Sequence, residues 1–122
     1  MIRVVLVDDQ AMVRAGFRMI LESEPGLTVV GEAADGLEAI TLVERASADV
    51  VLMDVRMPRM DGLEATRIIC AKDGAPRVLM LTTFDHEDYV YDALRAGASG
   101  FLLKDASPEQ LVEAVSVVAR GD

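Results

Sequence analysis

The sequence has 122 residues, of which 52% are hydrophobic, and this length and composition suit one compact domain with a sizeable core rather than several domains. Its 12 basic and 21 acidic residues give a formal net charge of −9, which repels phosphate backbones and argues against direct nucleic-acid binding by this chain. The chain has no apolar run of the roughly 18 residues that a membrane-spanning helix needs, and its single cysteine, Cys70, has no partner for an internal disulfide, so we expect a cytoplasmic protein.

Five short apolar segments rich in β-branched residues are predicted to be strands. In chain order they are residues 2–7, 27–33, 49–53, 77–82 and 99–103. The first, third and fourth are apolar at nearly every position, which indicates burial on both faces of a sheet. Such strands are typical of parallel sheets that helices cover on both sides.

Amphipathic segments of helical length alternate with these strands. Residues 12–24 place apolar side chains on one face, and residues 108–120 do the same after Ser107, a predicted N-cap, and Pro108 in the first turn. Strand and helix alternate five times. We therefore expect an α/β fold in which a five-stranded parallel sheet carries five helices on its two faces.

Acidic residues follow two of the predicted strands. In an open parallel sheet, ligands bind beyond the carboxyl ends of the strands, at the point where the strand order reverses. The first strand is followed by Asp8 and Asp9, and the third by Asp54. If the strand order is 2-1-3-4-5, these two strands flank the reversal and the three carboxylates share one pocket.

Three carboxylates in one pocket need a counter-charge. At about 5 Å and an effective dielectric near 20, each like-charge pair costs roughly 3 kcal/mol. Oxygen ligands without histidine or cysteine favour Mg²⁺, with Mn²⁺ as the alternative. Lys104, after the fifth strand, adds a positive charge, and Thr82, at the end of the fourth, adds a hydroxyl. With a metal, a lysine and a hydroxyl around it, Asp54 is suited to act as a nucleophile that becomes an acyl phosphate.

Four segments stand in order at the ends of the predicted strands: "VDDQ", "LMDVRMPRMDG", "LTTF" and "GASGFLLKD". With this order and spacing, the chain resembles the receiver domains of two-component response regulators over essentially its whole length. The segments "LLKDAS" and "LVEAVSVVARGD" resemble most the NarL/FixJ-like subfamily, whose receivers precede a LuxR-type helix-turn-helix. The resemblance implies a flavodoxin-like receiver domain over residues 1–122, with strand order 2-1-3-4-5, and a C-terminal DNA-binding output domain beyond it.

The resemblance also implies a phosphorylation site and a metal site. Asp54 matches the residue that accepts a phosphoryl group from a sensor histidine kinase. Asp9 matches a direct Mg²⁺ ligand, and Asp8 its acidic neighbour, which acts through metal-bound water. Asp54 itself and the backbone carbonyl of Arg56 complete the implied ligand set.

A conformational switch is implied by the same resemblance. Lys104 pairs with the phosphoryl group, the hydroxyl of Thr82 moves onto it, and Phe101 fills the space that Thr82 leaves. The face formed by the fourth helix, the fifth strand and the fifth helix then changes shape. Without the resemblance, Phe101 would be predicted to be a core residue of its strand.

The implied partners are those of a signalling protein rather than of an enzyme with other substrates. The receiver catalyses only its own phosphorylation and slow dephosphorylation. It meets a sensor histidine kinase, forms a homodimer on phosphorylation, and reaches DNA only through its C-terminal domain, without a membrane contact. Candidates for the dimer contact on the fourth helix are Val90, Tyr91 and Leu94. The first and fifth helices are the alternative dimer face.

Three positions are left without a firm expectation. The family often has a proline with a cis peptide bond after the lysine, whereas Asp105 follows Lys104 here, so the geometry of this bond is open. Arg56 and Phe84 occupy positions at which the family controls water access and phosphoryl lifetime.

Three other functions compete with the receiver. An aspartyl-phosphate phosphohydrolase places a second acid two residues after its nucleophile, where this chain has Arg56. A flavodoxin-like cofactor binder needs hydroxyl and backbone donors in its first loop, where "VDDQAM" offers carboxylates. A degenerate receiver that serves only as a docking module would not need the complete acidic pocket and Lys104.

Overall fold

The architecture was obtained as a computed structural model that describes residues 1–83 and 88–121. The strands are β1 Ile2–Val7, β2 Leu27–Ala33, β3 Val50–Asp54, β4 Arg77–Thr82 and β5 Gly100–Leu103. The helices are α1 Ala11–Glu22, α2 Gly36–Ala46, α3 Gly62–Cys70, α4 Asp88–Ala96 and α5 Pro108–Ala119. In the part of the chain that the structure describes, no helix combines the length and the apolar character needed to cross a bilayer.

The five strands form one parallel sheet in the order β2-β1-β3-β4-β5, which confirms the predicted fold. The order reverses between β1 and β3, so the carboxyl ends of these two strands lie side by side. Strand β3 is shifted by one residue from its predicted position, because Asp54 still pairs with Leu81 of β4. The acid is therefore the last residue of a fully buried strand.

Alternate side chains of the central strands enter two separate cores. On one face of β3, Val51 and Met53 pack with residues of α2, α3 and α4. On the other face, Val50 and Leu52 pack with residues of α1 and α5. Both faces of the sheet are thus covered, as the continuous apolar runs predicted, and the end of β3 is held rigidly from both sides.

Side-chain caps fix where three helices begin. Asp35 and Asp61 accept hydrogen bonds from backbone N–H groups in the first turns of α2 and α3, at 2.9 Å each. Ser107 caps α5 with a complete capping box, in which the Ser107 hydroxyl accepts from the Gln110 N–H and the Ser107 N–H donates to Oε1 of Gln110. The predicted cap at Ser107 is confirmed, and Asp61 caps α3 rather than taking part in the acidic pocket.

Candidate functional site

Three carboxylates meet at the carboxyl ends of β1 and β3. Asp54 ends β3, while Asp8 and Asp9 directly follow β1. One carboxylate oxygen from each of the three lies within 4.8 Å of the others. Asp8 and Asp54 are buried, whereas Asp9 is exposed to solvent. The structure thus brings together the three acids that the sequence predicted to share a pocket.

Lys104 is the positive charge of this cluster. Its backbone N–H donates to the carbonyl of Thr82 at 2.8 Å, which places it at the same edge of the sheet. Its Nζ lies 3.0 Å from Asp8 Oδ2 and 3.1 Å from Asp54 Oδ1. Burial lowers the pKa of Lys104, but the contacts with the two carboxylates outweigh this effect and leave the pKa above its ordinary value. The ammonium group is therefore charged at neutral pH.

Lys104 does not balance the acids around it. Burial raises the pKa of Asp54, the charge of Asp8 raises it further, and the opposing effect of Lys104 is too small to cancel them. Asp8 uses Oδ1 to accept the N–H of Gln10 at 2.8 Å. Its buried Oδ2 accepts no hydrogen bond and has the Lys104 ammonium, 3.0 Å away, as its ion-pair partner.

An oxygen-only donor set with excess negative charge and one orphaned buried oxygen fits a hard divalent cation. Two of the three acids are buried, so hydration cannot offset their repulsion as it does at a surface. The residues present are therefore suited to hold such an ion.

A cleft of about 180 Å³ opens beside Asp54. Its lining includes Asp9, Arg56, Thr82 and Lys104. Thr82 is buried, and its hydroxyl donates to the carbonyl of Thr83 at 3.3 Å. Acid, hydroxyl and ammonium groups thus border one space next to the Asp54 carboxylate. The predicted position of Phe84 lies outside the described residues.

Phe101 lies away from this cleft, on β5, and 46% of its surface is exposed. Its strand position alone predicted a core residue, and that prediction is wrong. The physical reason is that β5 is the edge strand and pairs only with β4, so its side chains are covered less than those of the central strands. The bond between Lys104 and Asp105 is trans, since the described residues contain no cis peptide.

Two contacts that support the acids were not predicted from the sequence. Arg14 of α1 donates to the backbone carbonyl of Asp8 at 2.6 Å and to the Glu32 carboxylate at 2.9 Å. Gly62 packs against the backbone of Asp54, where an added Cβ would lie 1.9 Å from the Asp54 carbonyl oxygen. The glycine after a turn was a visible signal for such a close approach, whereas nothing local in the sequence links Arg14 to Asp8.

Comparisons with known proteins agree with this fold and site. Residues 4–116 match the response regulator receiver domain family. The chain is 48% identical to the transcriptional regulatory protein YxjL of Bacillus subtilis over 121 residues, covering 99% of this chain and 56% of YxjL. The receiver domain of the putative response regulator NarL from Mycobacterium tuberculosis superposes with a TM-score of 0.94 at 40% identity, covering 99% of this chain and 98% of that one.

A LuxR-family two-component response regulator from Aurantimonas superposes with a TM-score of 0.91 at 42% identity, covering 98% of this chain and 85% of that one. The fold, the acidic site and these similarities define the class as receiver domains, and the chain belongs to the response regulator receiver domain family. Its relatives are regulators of the NarL and LuxR type. The chain spans a little over half the length of the curated relatives that it matches.

Proposed function

We propose that this receiver takes a phosphoryl group from a phosphohistidine of a sensor histidine kinase onto Asp54. The observation that carries this proposal is the convergence of Asp8, Asp9 and Lys104 on Asp54 at the edge of an open cleft. The buried end of β3 gives the acceptor a fixed position, and the cleft gives the donor access to it.

The metal of the proposed site is Mg²⁺, with Mn²⁺ as a substitute, held by the carboxylates of Asp9 and Asp54 and by the backbone carbonyl of Arg56, with the Asp8 carboxylate acting through water. The three acids are there in the structure, within reach of one another, and Arg56 lines the adjoining cleft. When bound, the ion supplies positive charge to the oxygens of the phosphoryl group.

In the proposed transfer, a carboxylate oxygen of Asp54 supplies the electron pair for a new bond to phosphorus. The bond between phosphorus and the histidine nitrogen breaks, and its electron pair stays with the nitrogen. Lys104, already 3.1 Å from Asp54 Oδ1, is placed to pair with the transferred group. Thr82 at the cleft wall is placed to donate its hydroxyl to a phosphoryl oxygen.

Phosphorylation replaces the single negative charge of the Asp54 carboxylate with a phosphoryl group that carries about 1.5 to 2 negative charges, and its oxygens become new partners for Thr82 and Lys104. The exposed side chain of Phe101 then moves toward the space that Thr82 vacates, which reshapes the face of α4, β5 and α5. Tyr91 and Leu94 are exposed apolar positions on α4, so this face is our first candidate for the contact in a phosphorylated homodimer, with α1 and α5 as the alternative.

The role proposed here is that of a cytoplasmic signalling receiver, which catalyses only its own phosphorylation and slow dephosphorylation. Its output is a C-terminal DNA-binding domain of the longer protein. Support comes from the relatives, which are named transcriptional regulatory proteins and of which this chain spans a little over half. The net charge of −9 is consistent with a DNA contact made by a separate domain.

The test is incubation with a small-molecule acyl phosphate and Mg²⁺, followed by intact-mass measurement. Wild type should gain one phosphoryl group, and Asp54→Ala should gain none. A matched control is Asp73→Ala, which removes an exposed acid away from the cleft and should react like wild type. Chelation of the metal should slow the gain. No gain in wild type, or a gain that survives in Asp54→Ala, would contradict the proposal.

A further inference from the structure

The loop that follows Asp54 is attached to α2, a helix that is not adjacent to it in the sequence. This segment, residues 55–61, is called the acceptor loop below and contains Arg56. Its ends are joined by a hydrogen bond of 2.8 Å from the Gly62 N–H to the Val55 carbonyl. Its middle is bound to the start of α2, where the Gly36 N–H donates to the Met60 carbonyl at 3.0 Å.

A second attachment to α2 is an ion pair. Arg59 Nε lies 2.7 Å from Asp35 Oδ2, and Nη2 of the same guanidinium contacts that oxygen as well. The other oxygen of Asp35 accepts the Glu38 N–H as the cap of α2. The Asp35 side chain is only 5% exposed, whereas that of Arg59 is 58% exposed, so the loop side chain reaches from the surface to a buried anion.

Asp35 is ionised at neutral pH. The Glu38 N–H and the Arg59 guanidinium lower the pKa of Asp35, against the opposing effect of burial. Loss of Arg59 would therefore leave a buried carboxylate with its helix cap but without its counter-charge.

The backbone of Arg59 indicates that contacts hold the acceptor loop in a strained conformation. Arg59 has a φ of 65°, in the left-handed region that non-glycine residues rarely adopt. Such a conformation costs about 1 to 2 kcal/mol and persists where surrounding contacts enforce it. A hydrogen bond of 2.8 Å from the Met60 N–H to the Pro58 carbonyl spans Arg59, and the contacts of the loop with Asp35 and Gly36 hold the same residues from outside.

We propose, on the basis of the function proposed above, that the Asp35–Arg59 pair is a positioning device for metal binding. Neither residue lines the cleft beside Asp54. The pair fixes the acceptor loop on α2 and thereby holds the Arg56 carbonyl where it serves as a metal ligand. Metal affinity at the end of β3 thus depends on an ion pair made by the N-cap residue of α2.

The direction of the change in Mg²⁺ affinity distinguishes a positioning role of Arg59 from a purely electrostatic one. Arg59→Gln removes a positive charge from a region of excess negative charge, so Coulomb forces alone would leave Mg²⁺ binding unchanged or make it tighter. If Arg59 positions the loop, Arg59→Gln binds Mg²⁺ about tenfold more weakly than wild type. The matched control is Arg67→Gln, which removes the same charge from an exposed pair with Glu64 on α3 and should stay within about twofold of wild type.

The measurement is titration calorimetry of metal-free protein with MgCl₂, on variants whose folding is checked by urea unfolding. Arg59→Lys, which keeps the charge but loses the two-point contact, should lie between wild type and Arg59→Gln. Affinity of Arg59→Gln within about threefold of the Arg67→Gln control, or above it, overturns the inference. Absence of Mg²⁺ binding by wild type would instead refute the proposed function, and this inference with it.

A metal-free readout accompanies the titration. Amide hydrogen exchange reports directly on the Gly36 and Gly62 N–H groups, which hold the acceptor loop to α2 and close it. Arg59→Gln should speed exchange at both amides by about tenfold, while amides of β3 stay protected. Unchanged exchange at both glycines would show that the ion pair does not hold the loop, and would overturn the inference even if metal affinity fell.

Discussion

Lys104 Nζ lies 3.1 Å from Oδ1 of Asp54, although the two residues come from opposite halves of the chain and from strands separated by β4. The same ammonium lies 3.0 Å from Asp8 Oδ2. One lysine therefore bridges the two buried acids of the site. Both acids are buried and one oxygen of Asp8 has no hydrogen bond, so Lys104 offsets only part of their repulsion in the folded protein, and the proposed metal would offset more of it.

Lys104→Met should destabilise the metal-free protein by about 1 to 3 kcal/mol, less than for a fully buried pair because Lys104 is partly exposed. The free energy of unfolding in urea measures this loss. Added Mg²⁺ should reduce the loss, since the ion supplies the missing charge. The control Lys72→Met removes an exposed partner of Glu44 and should cause no resolvable change. Equal losses in both variants would show that Lys104 is an ordinary surface lysine.

Asp54→Asn should stabilise the protein at pH 7 without Mg²⁺. The pKa of Asp54 is raised in the folded state, chiefly by burial, so its ionised form favours the unfolded chain. The stability that this residue contributes is present below the unfolded pKa of about 4 and is lost as the pH rises through the folded pKa. Urea midpoints of variant and wild type should therefore diverge at pH 7 and converge toward pH 4. A less stable variant at pH 7 would contradict this account.

Mg²⁺ should stabilise wild type by about 2.7 kcal/mol when its concentration is about 100 times the dissociation constant. Asp9→Asn should lose most of this gain, because it removes an exposed ligand while leaving the buried part of the site intact. Thermal unfolding with and without the ion measures the difference. Asp73→Asn, with the same change in charge away from the cleft, should keep the full gain. An undiminished Mg²⁺ effect in Asp9→Asn would remove Asp9 from the ligand set.

Gly62→Ala should be strongly destabilising, by about 3 kcal/mol or more, because the new Cβ would lie 1.9 Å from the carbonyl oxygen of Asp54 and the backbone must shift. The contrast is Gly16→Ala in α1, where a Cβ meets nothing within 4 Å. That change should stabilise the helix by about 0.5 to 1 kcal/mol. Urea unfolding compares the two. Similar effects of both substitutions would show that the loop tolerates a side chain at Gly62.

The strands and helices of this fold were predictable because local patterns of apolar residues indicate them. Buried parallel strands such as β3 are apolar at nearly every position, and the ends of adjacent strands must meet. For that reason the sequence predicts that Asp8, Asp9 and Asp54 lie close together, with Lys104 at the same edge of the sheet. The distances between these side chains, and the Asp8 oxygen without a hydrogen bond, could not be predicted, since they depend on rotamers set by packing.

The Arg59–Asp35 ion pair and the exposure of Phe101 depend on tertiary contacts that no periodic pattern in the sequence indicates. Arg59 and Asp35 are 24 residues apart, in a loop and at a helix cap, and no pattern of apolar spacing relates them. Phe101 occupies an apolar strand position, yet its exposure is decided by the edge location of β5 and by how far its neighbours cover it. Burial at an edge is a tertiary property, so the sequence pattern predicted a core residue there.

The proposed function requires that the carboxylate of Asp54, and no other acid, takes the phosphoryl group. Borohydride reduction of the phosphorylated protein, followed by peptide mass spectrometry, identifies the modified residue, because reduction of an aspartyl phosphate leaves homoserine at that position. We expect homoserine at residue 54 in wild type treated with the acyl phosphate and Mg²⁺, and none in untreated protein. Homoserine at Asp8, Asp9 or Asp61 in place of residue 54, or no homoserine at any position, would contradict the account.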